Sequence, residues 1–161
     1  MSIAVGDRVP DVQLKMVDEH GTEQVSTAEV LGKGRVVLVG VPAAFSPTCS
    51  DIHLPGFVLH SADVLARGVE RIFFTAVNDA FVMAAWARSQ GAQGKVAFLA
   101  DGNGELAKAM GVDIDLSRAG LGLRNKRFAV LIDNGVVTNV AVEESTGLEV
   151  SSVEAVLAWL G

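Results

Sequence analysis

The chain of 161 residues has a single cysteine, Cys49, and no tyrosine. One thiol cannot close an intramolecular disulfide, form a CxxC pair or supply a cysteine cluster to zinc, so any thiol chemistry must draw its second thiol from another molecule. Positive charge is also scarce, with 13 Lys and Arg against 19 Asp and Glu, a net charge of −6. That balance gives no electrostatic footprint for a phosphate backbone or an anionic bilayer, so neither nucleic acid nor a membrane is expected as a partner. The longest apolar run, Val36 to Phe45, is broken by Gly40 and Pro42 and is far shorter than the ~20 residues of a spanning helix. The opening Met1-Ser2-Ile3-Ala4-Val5 lacks the basic-then-apolar pattern of a secretory signal, and a cytoplasmic location is expected. There are no repeats and no low-complexity or Pro/Ser-rich linkers, so residues 1–161 are expected to form one domain. No metal or cofactor is expected.

What is present is a globular composition, 50% apolar and 20% charged, with enough length to bury a core. Strand-like and helix-like periodicities alternate, as in an α/β fold. Residues 35–41 (RVVLVGV) read as a strand buried on both faces, and 69–77 and 95–100 as two more. Residues 128–132 and 136–142, joined through Asp133-Asn134-Gly135, read as a hairpin, which makes the sheet mixed. Helices are expected from about Cys49 to Arg67, interrupted near Pro55-Gly56, from Asp79 to Gln90, from Gly104 to Met110 and from Ser152 to Leu160. In the last, Val153, Val156, Leu157 and Leu160 form a core-facing stripe.

The informative segment is Val41-Pro42-Ala43-Ala44-Phe45-Ser46-Pro47-Thr48-Cys49-Ser50. It lies where a buried strand leaves the sheet and a helix begins, the edge at which open α/β sheets bind ligands. A sulfur in a first helical turn sits near unpaired amides and the positive end of the helix dipole. An ordinary thiol is only about 3% ionised at pH 7, and an exposed helix terminus supplies only about 0.3–1 kcal/mol, so a second positive group is required. Arg127, entering the hairpin, and Arg88, in the helix after Asp79, are the candidates. Ser46 to Cys49 has CxxC spacing with a hydroxyl in the first position. Pro42 and Pro47 stiffen the loop and leave the amides of Thr48 and Cys49 free to face a ligand.

With these residues in place the sequence resembles a type-5 peroxiredoxin. The resemblance runs over nearly the whole chain. It is carried by Gly40-Val41-Pro42, the pattern of Pro42, Ser46 and Cys49, His53-Leu54-Pro55-Gly56-Phe57, Val77-Asn78-Asp79-Ala80-Phe81-Val82, Ala100-Asp101, Lys126-Arg127-Phe128 and Thr146-Gly147-Leu148. It implies a thioredoxin-like fold, a mixed central sheet flanked by helices. It also implies reduction of hydrogen peroxide or organic hydroperoxides through a sulfenic acid on Cys49. By the family pattern Arg127 holds the peroxide, Ser46 stands where threonine is usual and hydrogen-bonds the substrate, Thr48 and Cys49 donate backbone amides, and Pro42 shields the site. Glu149 and Val150 occupy the stretch where some members carry a resolving cysteine. Reduction is therefore expected from an external thiol, glutathione with a glutaredoxin or else thioredoxin, and a homodimer is implied.

Further candidates each have a plainer reading. His53, four residues after Cys49, adds positive potential or supports the site from behind. Arg88 orients Arg127 or solvates a helix face. Phe45 and Phe81 line the pocket mouth or a dimer contact, with core packing the default. Met83 and Trp86 read as core or interface, and His20 and His60 as surface histidines. The competing functions are a non-catalytic thioredoxin-like binding or chaperone module with a structural Cys49, and a cysteine hydrolase, for which no orienting Asn or Asp is evident.

Overall fold

A computed structural model describes residues 2–161. The strands are β1 (Gln13–Asp18), β2 (Gly21–Ser26), β3 (Arg35–Gly40), β4 (Arg71–Ala76), β5 (Ala97–Ala100), β6 (Asp113–Asp115), β7 (Leu123–Asn125), β8 (Phe128–Asp133) and β9 (Val136–Val142). Seven form one sheet in the order β2-β1-β5-β4-β3-β8-β9, and β6 and β7 make a separate ribbon. The centre, β3 with β4 and β4 with β5, is parallel, and the hairpins on either side are antiparallel. The sheet is mixed, as expected. Strands β1 and β2, the four-residue helix at Thr27–Val30 and the short β6–β7 ribbon were not read from the sequence. β2 is a mostly exposed polar edge (GTEQVS) without apolar alternation.

Helices α1 (Thr27–Val30), α2 (Leu54–Leu59), α3 (Ser61–Ala66), α4 (Ala80–Ser89), α5 (Glu105–Met110) and α6 (Val153–Leu160) cover both faces. Strand alternation sorts the core into two layers. Val37, Val39 and Val41 point with Ile72 and Phe74 toward Leu54, Phe57, Met83, Trp86, Val153 and Val156. Val36 and Leu38 point the other way, toward Leu31, Leu106 and Met110. Met83 and Trp86 are core residues, while Phe45 and Phe81 are exposed, against the default of core packing. Asp79 and Ser152 cap α4 and α6 by accepting from Val82 and Ala155.

The helix interruption expected at Pro55-Gly56 lies instead at His60 (φ −104°, ψ 15°), between α2 and α3. Helical backbone begins at Pro47, and Cys49–His53 forms one π turn in which the Leu54 amide donates to the Cys49 carbonyl. Pro55 follows directly in α2, and the wider π turn carries the helix past a residue that has no amide to donate. Asn134 (φ 49°) and Gly135 (φ 86°) make the hairpin turn, both in the left-handed region such a turn requires.

Register places the site. Gly40 pairs with Phe128, and Phe128 with Val142, so the end of β3, the start of β8 and the end of β9 share one edge. A Cβ on Gly40 would lie 1.9 Å from the Phe128 ring, and that ring is fully buried. Gly40→Ala should therefore lower stability by about 1–3 kcal/mol through overpacking. A thermal unfolding curve checks this; an unchanged midpoint would mean that the ring can move aside.

Candidate active site

The three aligned strand ends bring together residues far apart in sequence. β3 runs into the loop that starts the Cys49 helix. Arg127, just before β8, has the same parity as Ala129 and Leu131, which face the Leu54 and Phe57 layer, and so it projects toward that helix. Its Nη2 donates to Cys49 Sγ at 3.2 Å, and both residues are buried. Positive charge thus lies directly against the sulfur. Arg127 Nε is buried and has no hydrogen-bond partner among the described residues. Burying such a donor unpaired costs about 1–3 kcal/mol.

Behind the guanidinium is a buried polar chain. Arg127 Nη1 lies 2.9 Å from His53 Nδ1, and His53 Nε2 lies 2.7 Å from the Ser151 carbonyl oxygen. A guanidinium only donates and a carbonyl only accepts, so His53 is the neutral Nε2–H tautomer, with Nδ1 accepting. Its ring packs against Phe57 and Phe74. Burial there, with the charge of Arg127 added, brings its pKa from 6.5 down to about 4 despite the Ser151 bond. Glu143, immediately after β9, accepts at Oε2 from the amides of Glu149, Val150 and Ser151 and from the Ser151 hydroxyl, at 2.7–2.9 Å. Burial pushes the Glu143 carboxyl up, but these donors hold it below its ordinary value.

A cation held on a buried sulfur at a helix start is the arrangement that thiol chemistry needs, and likeness to known proteins narrows its kind. The Redoxin family profile matches residues 4–157. Peroxiredoxin-2C of Oryza sativa subsp. japonica is 47% identical over 98% of both chains, and Peroxiredoxin-2B of Arabidopsis thaliana is 42% identical over 98% of both. The crystal structure of reduced Prx3 from Vibrio vulnificus in complex with hydrogen peroxide superposes with a TM-score of 0.93, at 41% identity over 99% of each chain. The chain belongs to the peroxiredoxins. It is a thiol-dependent peroxidase with the thioredoxin-like fold that the sequence implied.

In this peroxiredoxin the candidate residues are only partly assembled. Cys49, Arg127 and His53 are in one hydrogen-bonded chain, and Pro42 is buried just beyond β3. Thr48 is half-buried in the first helical turn, where amides have no acceptor within the helix. Ser46 Oγ donates its proton to the Ala43 carbonyl at 2.7 Å, so toward a ligand it has lone pairs and no proton to give. Phe45 is exposed in a left-handed conformation, φ 66°, which is strained for a bulky residue. Arg88 is exposed on the last turn of α4, whereas Arg127 is buried. It is His53 that makes the hydrogen bond to the Arg127 guanidinium, and as a neutral ring it does not supply the positive potential also considered for it.

Sequence reasoning missed Glu143 and Ser151. The available signal was an acidic residue closing the apolar strand 136–142, across the hairpin from Arg127. It also missed Ser50, which accepts from Trp86 Nε1 at 2.9 Å and ties the Cys49 turn to α4. Asn78, quoted only as part of a motif, holds the loop through the Ala44 amide at 3.0 Å. A cavity of about 530 Å³ borders Pro42, Arg127 and Glu143 but not Cys49.

The lowered pKa of His53 makes stability depend on pH. The folded protein favours the neutral ring, so this contribution is complete above about pH 6.5 and is lost as pH falls toward 4. The loss approaches about 3 kcal/mol. Melting temperatures measured from pH 7 to 5 should fall in the wild type and flatten in His53→Asn. An equal slope in both would assign the effect to other groups.

Proposed function

We propose that Cys49 is the peroxidatic nucleophile and that Arg127 binds and polarises the peroxide. The unpartnered buried Nε of Arg127 carries this reading, because a peroxide oxygen beside the sulfur would give that donor its acceptor. The Cys49 thiolate attacks one peroxide oxygen, the S–O bond forms as the O–O bond breaks, and the sulfur pair reduces the leaving oxygen. That oxygen takes a proton and departs as water or an alcohol, and Cys49 becomes a sulfenic acid. Arg127 and the amides of Thr48 and Cys49 stabilise the charge as it moves. Ser46 accepts from the peroxide O–H, Pro42 limits access of water, and Phe45 stands at the mouth. Arg88 is left as a peripheral residue.

With Cys49 as the only thiol in the chain, the sulfenic acid is reduced from outside, by glutathione with a glutaredoxin first and by thioredoxin second. An unpaired working thiol suits a reducing compartment, which favours the cytoplasm. No helix among the described residues is long and apolar enough to cross a membrane. Exposed Phe45, Ile52, Phe81 and Val150 offer apolar surface for a homodimer. A purely structural cysteine, as in a binding or chaperone module, leaves a buried guanidinium on the sulfur unexplained.

Peroxide consumption should be followed in parallel with glutathione plus glutaredoxin and with thioredoxin plus its reductase. Cys49→Ser should abolish turnover in both, and Arg127→Gln should slow sulfenic acid formation about 100-fold. Wild-type turnover by Cys49→Ser would end this assignment, and failure of glutathione alone would pass the donor role to thioredoxin.

A further inference from the structure

The Glu143 side chain bonds neither Cys49 nor the Arg127 guanidinium, yet it is the most heavily bonded acceptor near the site. Its Oε2 collects three consecutive amides and one hydroxyl from Glu149–Ser151. Consecutive amides turned toward one point form an anion-binding concavity, and here the chain's own carboxylate fills it. A surface turn would need no such anchor. This one ends in Ser151, which is fully buried and whose carbonyl receives His53 Nε2–H. Glu143 also donates its own amide to the Arg127 carbonyl at 2.9 Å, so one residue fixes the main chain of Arg127 and, through the loop, the partner of its side chain.

We propose that Glu143 is a positioning residue for peroxide reduction: by holding the Glu149–Ser151 loop it sets the Ser151 carbonyl that selects the His53 tautomer, and that tautomer aims Arg127 at Cys49. His53 has two ring nitrogens and one proton. With the Ser151 carbonyl in place the proton belongs on Nε2, and Nδ1 presents a lone pair to Arg127 Nη1. If the carbonyl moves away, the proton can shift to Nδ1 and oppose the guanidinium donor to donor. Arg127 then loses the contact that fixes its plane, and Nη2 and Nε lose their alignment on the sulfur and the peroxide. This inference rests on the peroxidase roles of Cys49 and Arg127.

Glu143→Gln keeps the side-chain length and removes the charge. Its second-order rate with hydrogen peroxide should fall about tenfold, the lower end of what loss of a supporting partner does at metal centres. The 15N spectrum of His53, a single Nε2–H tautomer in the wild type, should show a mixture. Glu143→Asp, which retains the carboxylate, should recover part of the rate. A folded Glu143→Gln protein with a peroxide rate within twofold of wild type and an unchanged His53 spectrum overturns the proposal, even if its melting temperature drops. If Glu143→Gln shows no cooperative unfolding transition, Ser151→Ala decides, because it keeps the main-chain carbonyl and removes one donor. An intermediate rate with a mixed His53 spectrum supports the proposal, and wild-type values for both overturn it. A wild-type protein that does not consume hydrogen peroxide at all would instead refute the peroxidase roles.

Discussion

Everything at this site depends on one contact, Arg127 Nη2 donating to Cys49 Sγ at 3.2 Å inside a buried region. A guanidinium is not easily kept there. It stays charged and has five donors to satisfy, and desolvating a charge costs several kcal/mol unless partners replace the lost water. The structure supplies a sulfur for one donor and His53 Nδ1 for another, and leaves Nε open. The unmet donor is buried with the rest of the guanidinium, and an acceptor brought in by a ligand would satisfy it.

The sheet determines that these groups meet. Pairing of Gly40 with Phe128 and of Phe128 with Val142 puts the loop to Cys49, the entry of Arg127 and the anchor Glu143 within one edge. A shift of register by one residue would turn Arg127 to the opposite face, because side chains alternate along a strand. Gly40 is where this arrangement is tightest, since its missing Cβ admits the Phe128 ring. The π turn at Cys49–His53 carries both the sulfur and His53 in one segment and takes the helix through Pro55.

Much of this was legible in the sequence, for physical reasons that differ by residue. Strands β3, β4 and β5 are short apolar runs, and Asn134-Gly135 can hardly be anything other than a hairpin turn, so the mixed sheet followed. The meeting of Arg127 with Cys49 was legible because local pattern and family resemblance coincide on both residues. β2 escaped because a polar edge strand has no apolar period to read. The break at His60 escaped because the proline–glycine pair is a strong local signal, and a π turn that absorbs it leaves no mark in the sequence. Arg88 looked equivalent to Arg127 as a cation; only the register and the side-chain directions separate a buried guanidinium from one on the rim of α4. Glu143 and Ser151 were hidden because their roles exist only once residues 143–151 fold back on themselves.

Arg127 is more than a positive charge, since its Nη1 bonds His53, its Nη2 bonds the sulfur and its Nε is left without a partner among the described residues. Replacement by lysine keeps the charge and removes that division of donors. The most direct measurement is therefore the second-order rate of the reduced Arg127→Lys protein with hydrogen peroxide, followed as sulfenic acid formation at Cys49. A fall of roughly tenfold or more in a protein that melts as the wild type does is the predicted result. A rate equal to wild type would contradict the account, because it would show that charge near the sulfur suffices without the geometry.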